Sequence, residues 1–275
     1  MSSGTKEQKL RALLRGYGRV AIGFSGGVDS TLLLKVSLEV LGAENVLAVI
    51  ADTPSLPRKE FAEAQHLAEG MGAVCAVIHP DELGDPRYAA NPADRCYFCK
   101  KHLFQGIADL AAARGFAAVL DGNNADDAGD YRPGRRAAQE LHVKSPLMEA
   151  GLTKAEIRAL SARFGLPTAD KPAMACLASR IPYGTPVTAD VLGQVERAEA
   201  ALREAGFAQC RERHHGEVAR IEVAVGELPR LLDGAVREIL VRRIKEAGYR
   251  YVTLDLQGYR TGSLNEGLKV SSEGR

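Results

Sequence analysis

Ser25-Gly26-Gly27-Val28-Asp29-Ser30 stands between the apolar run Val20-Ala21-Ile22-Gly23-Phe24 and an apolar-rich stretch from Thr31 to Leu41. A buried strand, a glycine turn and a helix start make a nest for an anion. Glycines let backbone N–H groups come close, Ser25 and Ser30 add hydroxyl donors, and the helix terminus adds roughly half a positive charge. A nucleotide phosphate is the expected guest. The spacing is neither that of a Walker loop, which needs a Lys-Ser/Thr pair after its last glycine, nor that of the three-glycine dinucleotide fingerprint. Asp29 aimed at a phosphate would repel it, so its expected work is to order the loop amides or to hold a magnesium ion bridging the phosphates. The plain alternative is an ordinary glycine turn, but packing alone gives no reason for two glycines between Ser and Val-Asp-Ser.

Outward from this turn, buried-strand candidates recur at 19–24, 46–51, 74–79 and 117–121, with amphipathic stretches such as Pro57 to Met71 and Lys100 to Arg114 between them. The pattern predicts the α/β class, a doubly wound parallel sheet wrapped by helices. Ligands of such sheets bind at the carboxyl ends of the strands, where the hexapeptide lies. Thr53, in Ala51-Asp52-Thr53-Pro54 at the end of the second strand, is the natural neighbour of base and ribose, or else simply turns the chain. A fifth element near 141–145 precedes a helix that opens at Thr153 with Glu156 as a capping box and closes at Gly165. The expected division is a first domain over 1–166, an active-site loop and linker over 167–187, a small α+β domain over 188–260, and a flexible polar tail over 261–275. In the small domain a helix is expected over 189–205, strands near 207–213 and 217–224, a helix near 233–247 and a strand at 250–256.

The chain has 275 residues, 45% hydrophobic and 26% charged, with a formal net charge of +1. This is the balance of a globular protein with a substantial core, and it gives no global attraction to nucleic acid. No apolar run reaches membrane-spanning length and the first residues lack a signal-peptide hydrophobic block, so a cytoplasmic protein is expected. Five cysteines, an odd number, then read as reduced thiols, metal ligands or catalysts.

Arg95-Cys96-Tyr97-Phe98-Cys99-Lys100 holds a CxxC without a second CxxC. Structural zinc needs four ligands, so His102 or Cys176 would have to help. A redox pair is open, and so is an iron–sulfur cluster on Cys96, Cys99 and Cys176, in which three thiolates leave one of four irons free to carry sulfide. Cys176 lies in Lys171-Pro172-Ala173-Met174-Ala175-Cys176-Leu177-Ala178-Ser179-Arg180-Ile181-Pro182-Tyr183-Gly184, which reads as an active-site loop in which Arg180 favours the thiolate. Cys176 as a small buried hydrophobe is the alternative. That reading suits Cys75, whereas Cys210 is undecided.

Asp121-Gly122-Asn123-Asn124-Ala125-Asp126-Asp127-Ala128-Gly129-Asp130-Tyr131-Arg132-Pro133-Gly134 follows the fourth strand and is either a magnesium-holding cluster or a capped, solvated loop. Arg211 and Arg213 share a strand face by period two, so both are able to grip one phosphate, unless that face is merely solvated. His214 and His215 beside them are expected in an exposed turn.

The hexapeptide resembles the PP-loop signature of the ATP pyrophosphatases, which cleave ATP between the alpha and beta phosphates and adenylate a substrate. With the Ala51-Asp52-Thr53 turn, the CxxC, the acidic loop, the Cys176 segment and the pattern around Arg211 to Arg220, residues 18–260 resemble the LarE family. These are ATP-dependent sulfur transferases of nickel-pincer nucleotide cofactor synthesis. The resemblance implies the Rossmann-like adenine nucleotide alpha hydrolase fold, with ATP and Mg2+ held at Gly23, Phe24, Ser25, Gly26, Gly27, Asp29, Ser30, Thr53 and Gly122. It implies a pyridinium biscarboxylic acid mononucleotide as substrate, its phosphate on Ser179, Arg180, Arg211 and Arg213. It also places a metal-related or catalytic carboxylate on the helix after the loop, where Glu199 is preferred to Glu196. Cys176, Asp29 and Glu199 are thus the expected catalytic residues.

The family divides on the source of sulfur. In one branch the cysteine of this loop gives up its own sulfur and becomes dehydroalanine. In the other, that cysteine and a CxxC hold a 4Fe-4S cluster whose open iron carries sulfide. The CxxC here implies the second branch, reloaded by sulfide or a cysteine desulfurase and serving the nickel-pincer biosynthesis proteins. A homo-oligomer is also implied. A tRNA thiolase is the strongest rival, but a 5% aromatic content and the lack of a basic accessory domain speak against nucleic acid. An ammonia-using synthetase gives the cysteines no work, and an adenine-nucleotide sensor does less still.

Overall fold

The computed structural model describes residues 3–129, 133–172, 174–260 and 262–264. The chain divides into two units, one made of residues up to 85 together with 94–174, the other of 86–93 together with residues from 175 onward.

The first unit is built on β1 (Val20–Gly23), β2 (Val46–Ala51), β3 (Val74–Ile78) and β4 (Ala118–Leu120). All are parallel, in the order β3-β2-β1-β4. Helices α1 (Ser3–Tyr17), α2 (Val28–Leu41), α3 (Arg58–Gly70), α4 (Pro86–Ala89), α5 (Arg95–Ala113), α6 (Pro133–Glu140), α7 (Pro146–Glu149) and α8 (Lys154–Arg163) follow in chain order, α4 belonging to the second unit. The strands are apolar because both faces are covered, and period two divides them. Val20, Ile22, Val46, Ala48 and Ile50 join a core with Leu32, Leu33 and Leu10, whereas Ala21, Leu47 and Val49 meet Phe104, Ile107 and Ala111 of α5. The strand order reverses between β1 and β4, so the loops leaving those two strands face the crevice where doubly wound sheets bind ligands.

The element expected at 141–145 is reduced to an isolated parallel bridge. Lys144 pairs with Leu120, donating to Val119 O (2.9 Å) and accepting from Asp121 N (2.9 Å). The helix expected from Lys100 begins at Arg95, which moves the CxxC out of a connection and onto the first turns of α5.

The second unit holds α9 (Ala189–Glu204), β5 (Cys210–His215), β6 (Val218–Val223), α10 (Leu228–Leu231), α11 (Gly234–Glu246) and β7 (Tyr251–Leu254). β5 pairs antiparallel and β7 parallel with β6. β5 starts later than its expected position because α9 ends in a glycine cap. Gly206 has φ +86°, and Phe207 N donates back to Leu202 O, burying the Phe207 ring in a core with Leu202, Ile221 and Ile244. Residues 86–93 join this unit through Asn91. Its Nδ2 donates to Pro182 O and Thr185 O at 2.8 Å each, and its carbonyl accepts from Gly184 N. Among the described residues no helix is long and apolar enough to cross a membrane.

Candidate functional site

In the first unit the turn after β1 has the geometry of an anion nest. Gly26 has φ +67°, and a Cβ there would lie 3.1 Å from Ala64 Cα, so glycine alone fits. Gly27 is the N-cap of α2 and offers no side-chain cap, which leaves the first-turn amides to other acceptors. Ser25 and Ser30 meet hydroxyl to hydroxyl at 3.2 Å, and Ser30 Oγ donates to Gly27 O. Phe24 N donates to Val49 O at 2.8 Å, anchoring the turn to β2. Gly122, after β4, approaches so closely that a Cβ would stand 3.1 Å from Ser30 N. Gly23 packs against Ile107 Cδ1, 3.2 Å from where a Cβ would be.

Asp29 orders a neighbouring loop rather than the amides of its own. Its Oδ1 accepts from Asn124 Nδ2 at 3.3 Å, and its Oδ2 accepts a short hydrogen bond from Lys154 Nζ. Sequence reasoning did not single out Lys154. The signal was present, because the capping box of Thr153 and Glu156 fixes the start of α8 and Lys154 is its first residue.

The acidic loop is bonded within itself and to the segments that follow it. Asp121 accepts from Ser145 Oγ (2.7 Å) and Asn123 N (3.1 Å), Asp126 from Lys154 N (2.8 Å), and Asp127 from Asn124 N (3.0 Å). Burial raises Asp121 above the ordinary carboxylate range, against the lowering by those donors. Asp130, Tyr131 and Arg132 lie outside the described residues, as do Ala173 and the tail from 265 onward.

Thr53, at the end of β2, is buried and linked to the CxxC by a chain of contacts. Thr53 Oγ1 meets Ser55 Oγ at 3.1 Å, Ser55 donates a short bond to Glu82, and Cys99 Sγ donates to Glu82 Oε2 at 3.2 Å. Glu82 is 2% exposed and lies in the loop after β3, where nothing in the sequence marked it. Cys96, exposed, and Cys99, half-buried, stand three residues apart on one side of α5. His102 Nε2 meets Asp85 Oδ2 at 3.0 Å, so the histidine expected as one candidate to complete a zinc site already has a carboxylate partner. Among the described residues no group of three or more His, Cys, Asp or Glu side chains is gathered to hold a metal ion.

In the second unit, Cys176 is half-buried and precedes the 3-10 turn Leu177–Arg180. Its carbonyl accepts from Ser179 N (3.0 Å), Ser179 Oγ (2.7 Å) and Arg180 Nη1 (3.0 Å), so Ser179 and Arg180 hold the backbone of the cysteine. Every nitrogen of the Arg180 guanidinium has a partner within the unit. Nε and Nη2 form a fork to Glu199 Oε1 (2.7 Å) and Oε2 (3.0 Å), and Nη1 also reaches Ala175 O (2.8 Å). Burial works against the charge on Arg180, and Glu199 outweighs it, raising the group above its ordinary value.

Glu199 is fully buried and also accepts from Arg203 Nη2 (2.5 Å) and Glu212 N (3.3 Å). It is a structural centre joining α9, β5 and the Cys176 segment. Glu199→Ala leaves the buried Arg180 without its counter-charge and is expected to cost about 3–5 kcal/mol, with Glu199→Gln losing less. Urea unfolding measures this, and a loss under about 1 kcal/mol for alanine would remove Glu199 from that role.

Arg211 and Arg213 lie on one face of β5. Arg213 Nη1 donates to Ser179 O (3.0 Å) and Nη2 to Glu222 Oε2 (2.9 Å), while its buried Nε has no acceptor. Among the described residues Arg211 donates to its own neighbour, Nη1 to Cys210 O (2.7 Å). Burial and the nearby charge of Arg180 hold Arg211 below its ordinary value. A face with cations in excess of internal acceptors is chemically suited to an anion.

The expectation of an exposed pair of histidines holds for His215 alone. His214 is buried, Nδ1 at 3.0 Å from the Tyr249 hydroxyl. Cys210 is buried as well, its thiol pushed up to about 11 by burial and by Glu199, which makes it a hydrophobe rather than a nucleophile.

Residues 7–83 match the NAD synthase family model. An NH(3)-dependent NAD(+) synthetase of Methanococcoides burtonii is 41% identical over 64 residues, 23% of this chain and 24% of that protein. Other relatives extend across both units. An uncharacterized protein of Synechocystis sp. is 43% identical, covering 95% of this chain and 98% of its own length. The pyridinium-3,5-bisthiocarboxylic acid mononucleotide synthase of Lactiplantibacillus plantarum is 42% identical, covering 96% of this chain and 95% of its own. With the PP-loop at the reversal of a parallel sheet and similarity running the length of both units, the chain belongs to the LarE family.

Proposed function

We propose that this protein is an ATP-dependent sulfur transferase that adenylates carboxylates of pyridinium biscarboxylic acid mononucleotide and converts them to thiocarboxylates. The observation that carries the reading is the reach of the similarity. Likeness to the NAD synthetase of M. burtonii covers 23% of the chain, whereas likeness to the bisthiocarboxylate synthase covers 96%. The first unit supplies a reaction half shared by many products, and the second supplies what makes the product specific.

ATP would bind with its phosphates on the amides and hydroxyls from Ser25 to Ser30 and with Thr53 and Gly122 beside the nucleoside, and Asp29 would help hold magnesium, which would supply charge neutralisation at the phosphates. Lys154, paired with Asp29, adds a cation beside this turn. A substrate carboxylate oxygen attacks the alpha phosphorus and pyrophosphate leaves. The resulting acyl adenylate exchanges a poor leaving oxide for AMP, so a sulfide-level nucleophile displaces AMP and leaves the thioacid. The substrate's phosphate is taken by Arg211 and Arg213, while Ser179 and Arg180 hold the loop that presents Cys176. Glu199 acts as the positioning residue behind Arg180.

Cys96, Cys99 and Cys176 are the sulfur-handling groups of this reading. A 4Fe-4S cluster on these thiolates supplies, when bound, an open iron able to carry sulfide. The chain's own support is the pair of reduced thiols one turn apart on α5. Sulfide or a cysteine desulfurase reloads the carrier, and the thiolated mononucleotide goes on to the proteins that insert nickel.

ATP–pyrophosphate exchange tests the first half-reaction. Exchange is expected to need the mononucleotide and to be unmoved by tRNA or ammonia. Exchange driven by tRNA, or without an acceptor, would refute the proposal.

A further inference from the structure

The last residue stretch expected in the small domain and the start of the polar tail expected from 261 hold Tyr259 and Ser263, both of which are built into the second unit. Asp255 N donates to Ile221 O (2.9 Å) and Tyr259 N to Val223 O (2.8 Å), so the chain leaving β7 continues along β6. The turn between them requires glycine. Gly258 has φ +69°, and a Cβ there would lie 2.8 Å from Val223 O.

This path ends on the two arginines of β5. The ring of Tyr259 faces the Arg211 guanidinium, its centroid 5.1 Å from Cζ. Ser263, 8% exposed, accepts from Arg213 Nη2 at 2.8 Å and donates to Glu222 Oε1 at 3.4 Å. A flexible arginine binds an anion weakly unless its plane is fixed beforehand. A ring face fixes the plane of Arg211 without consuming an N–H donor. Ser263, with Glu222, fixes Arg213 by one end, while the buried Nε of Arg213 remains without an acceptor.

We propose that Tyr259 and Ser263, past β7, are part of the mononucleotide phosphate site as positioning residues that hold Arg211 and Arg213 for one phosphate. This rests on the reading that those arginines take the substrate's phosphate. Glu222 is the shared anchor, since Ser263 and Arg213 both contact it and Arg220 Nη2 lies 3.2 Å from its Oε1.

The test is calorimetric titration of the full chain with the mononucleotide and, separately, with ATP. Tyr259→Ala and Ser263→Ala are each expected to weaken mononucleotide affinity about tenfold, the scale of a lost cation–π contact or charge-assisted hydrogen bond, with ATP affinity unchanged. Tyr259→Phe and Ser263→Thr, which keep the ring and the hydroxyl, are expected to restore parent affinity. In steady state the loss is expected in KM rather than kcat. Arg211→Ala is the control. If Arg211→Ala loses affinity while Tyr259→Ala and Ser263→Ala do not, the arginines act without these residues and the proposal is overturned. A lower melting temperature with unchanged mononucleotide affinity overturns it equally. If Arg211→Ala itself binds normally, the phosphate reading falls and takes this inference with it.

Discussion

Replacing Cys176 with alanine is expected to abolish thiolated product, by at least about a thousandfold, while mononucleotide-dependent ATP–pyrophosphate exchange continues. In the proposed reaction adenylation draws on the turn after β1, whose side-chain contacts to Ser30, Gly27, Asn124 and Lys154 lie within the first unit. Cys176 is in the second unit, and its backbone is held by Ser179 and Arg180 whatever its side chain. The variant therefore keeps the loop and loses only sulfur chemistry. Loss of exchange along with product would place Cys176 in adenylation and refute the division. The same variant separates the two sources of sulfur. With a cluster, anaerobically reconstituted protein is expected to hold about four irons and four sulfides per chain, lost in Cys96→Ala, Cys99→Ala and Cys176→Ala, with residue 176 still cysteine after turnover. Dehydroalanine at 176 in iron-free parent protein would make Cys176 the consumed donor.

Much of this is legible in the sequence, for a physical reason. A strand buried on both faces must be apolar throughout, and a glycine turn at its end leaves a mark of its own, so β1, the hexapeptide and α2 stand out. Arg211 and Arg213 were legible because period two puts them on one face. What escaped the sequence was partnership. Glu82 carries no periodic signal, and its burial against Ser55 and Cys99 depends on the path of a loop. Lys154 is an ordinary first-turn residue until the turns after β1 and β4 bring Asp29 and Asp126 to it. Glu199 and Glu196 both lie on α9, three residues apart, and only the packing of α9 against β5 distinguishes the fully buried one. The tail expected from 261 follows from low apolar content, which says nothing of Tyr259 and Ser263. Tyr259 is held by a hydrogen bond to β6 and by Arg211, and Ser263 by Arg213, contacts that composition does not register.

Glu212→Gln is expected to stabilise the protein by roughly 2–4 kcal/mol at pH 8, with the advantage closing toward pH 5. Glu212 sits on β5 facing the core and is fully buried. Neither carboxylate oxygen has a hydrogen-bond partner of good geometry, and the Tyr249 hydroxyl, already engaged with His214, only partly compensates. Burial, reinforced by the neighbouring Glu199 charge, pushes Glu212 from 4.5 up to about 8, against the pull of Tyr249, Arg180 and Arg213. The folded chain thus keeps a proton that the unfolded chain releases above 4.5, so stability falls with rising pH across the window from about 4.5 to about 8. Glutamine cannot ionise, so the slope belonging to this group disappears. Urea midpoints of parent and variant at pH 5, 6.5 and 8 measure the effect, and a difference independent of pH would refute it. The consequence reaches the site, because the Glu212 amide donates to Glu199, which holds Arg180 and through it the Cys176 loop. Ionising Glu212 sets a second carboxylate charge beside Glu199 in a buried setting, where like charges are costly. Loosening of the Cys176 segment should therefore follow the same titration, and hydrogen exchange at residues 176–180 should rise toward pH 8 in the parent beyond its intrinsic pH dependence and not in Glu212→Gln.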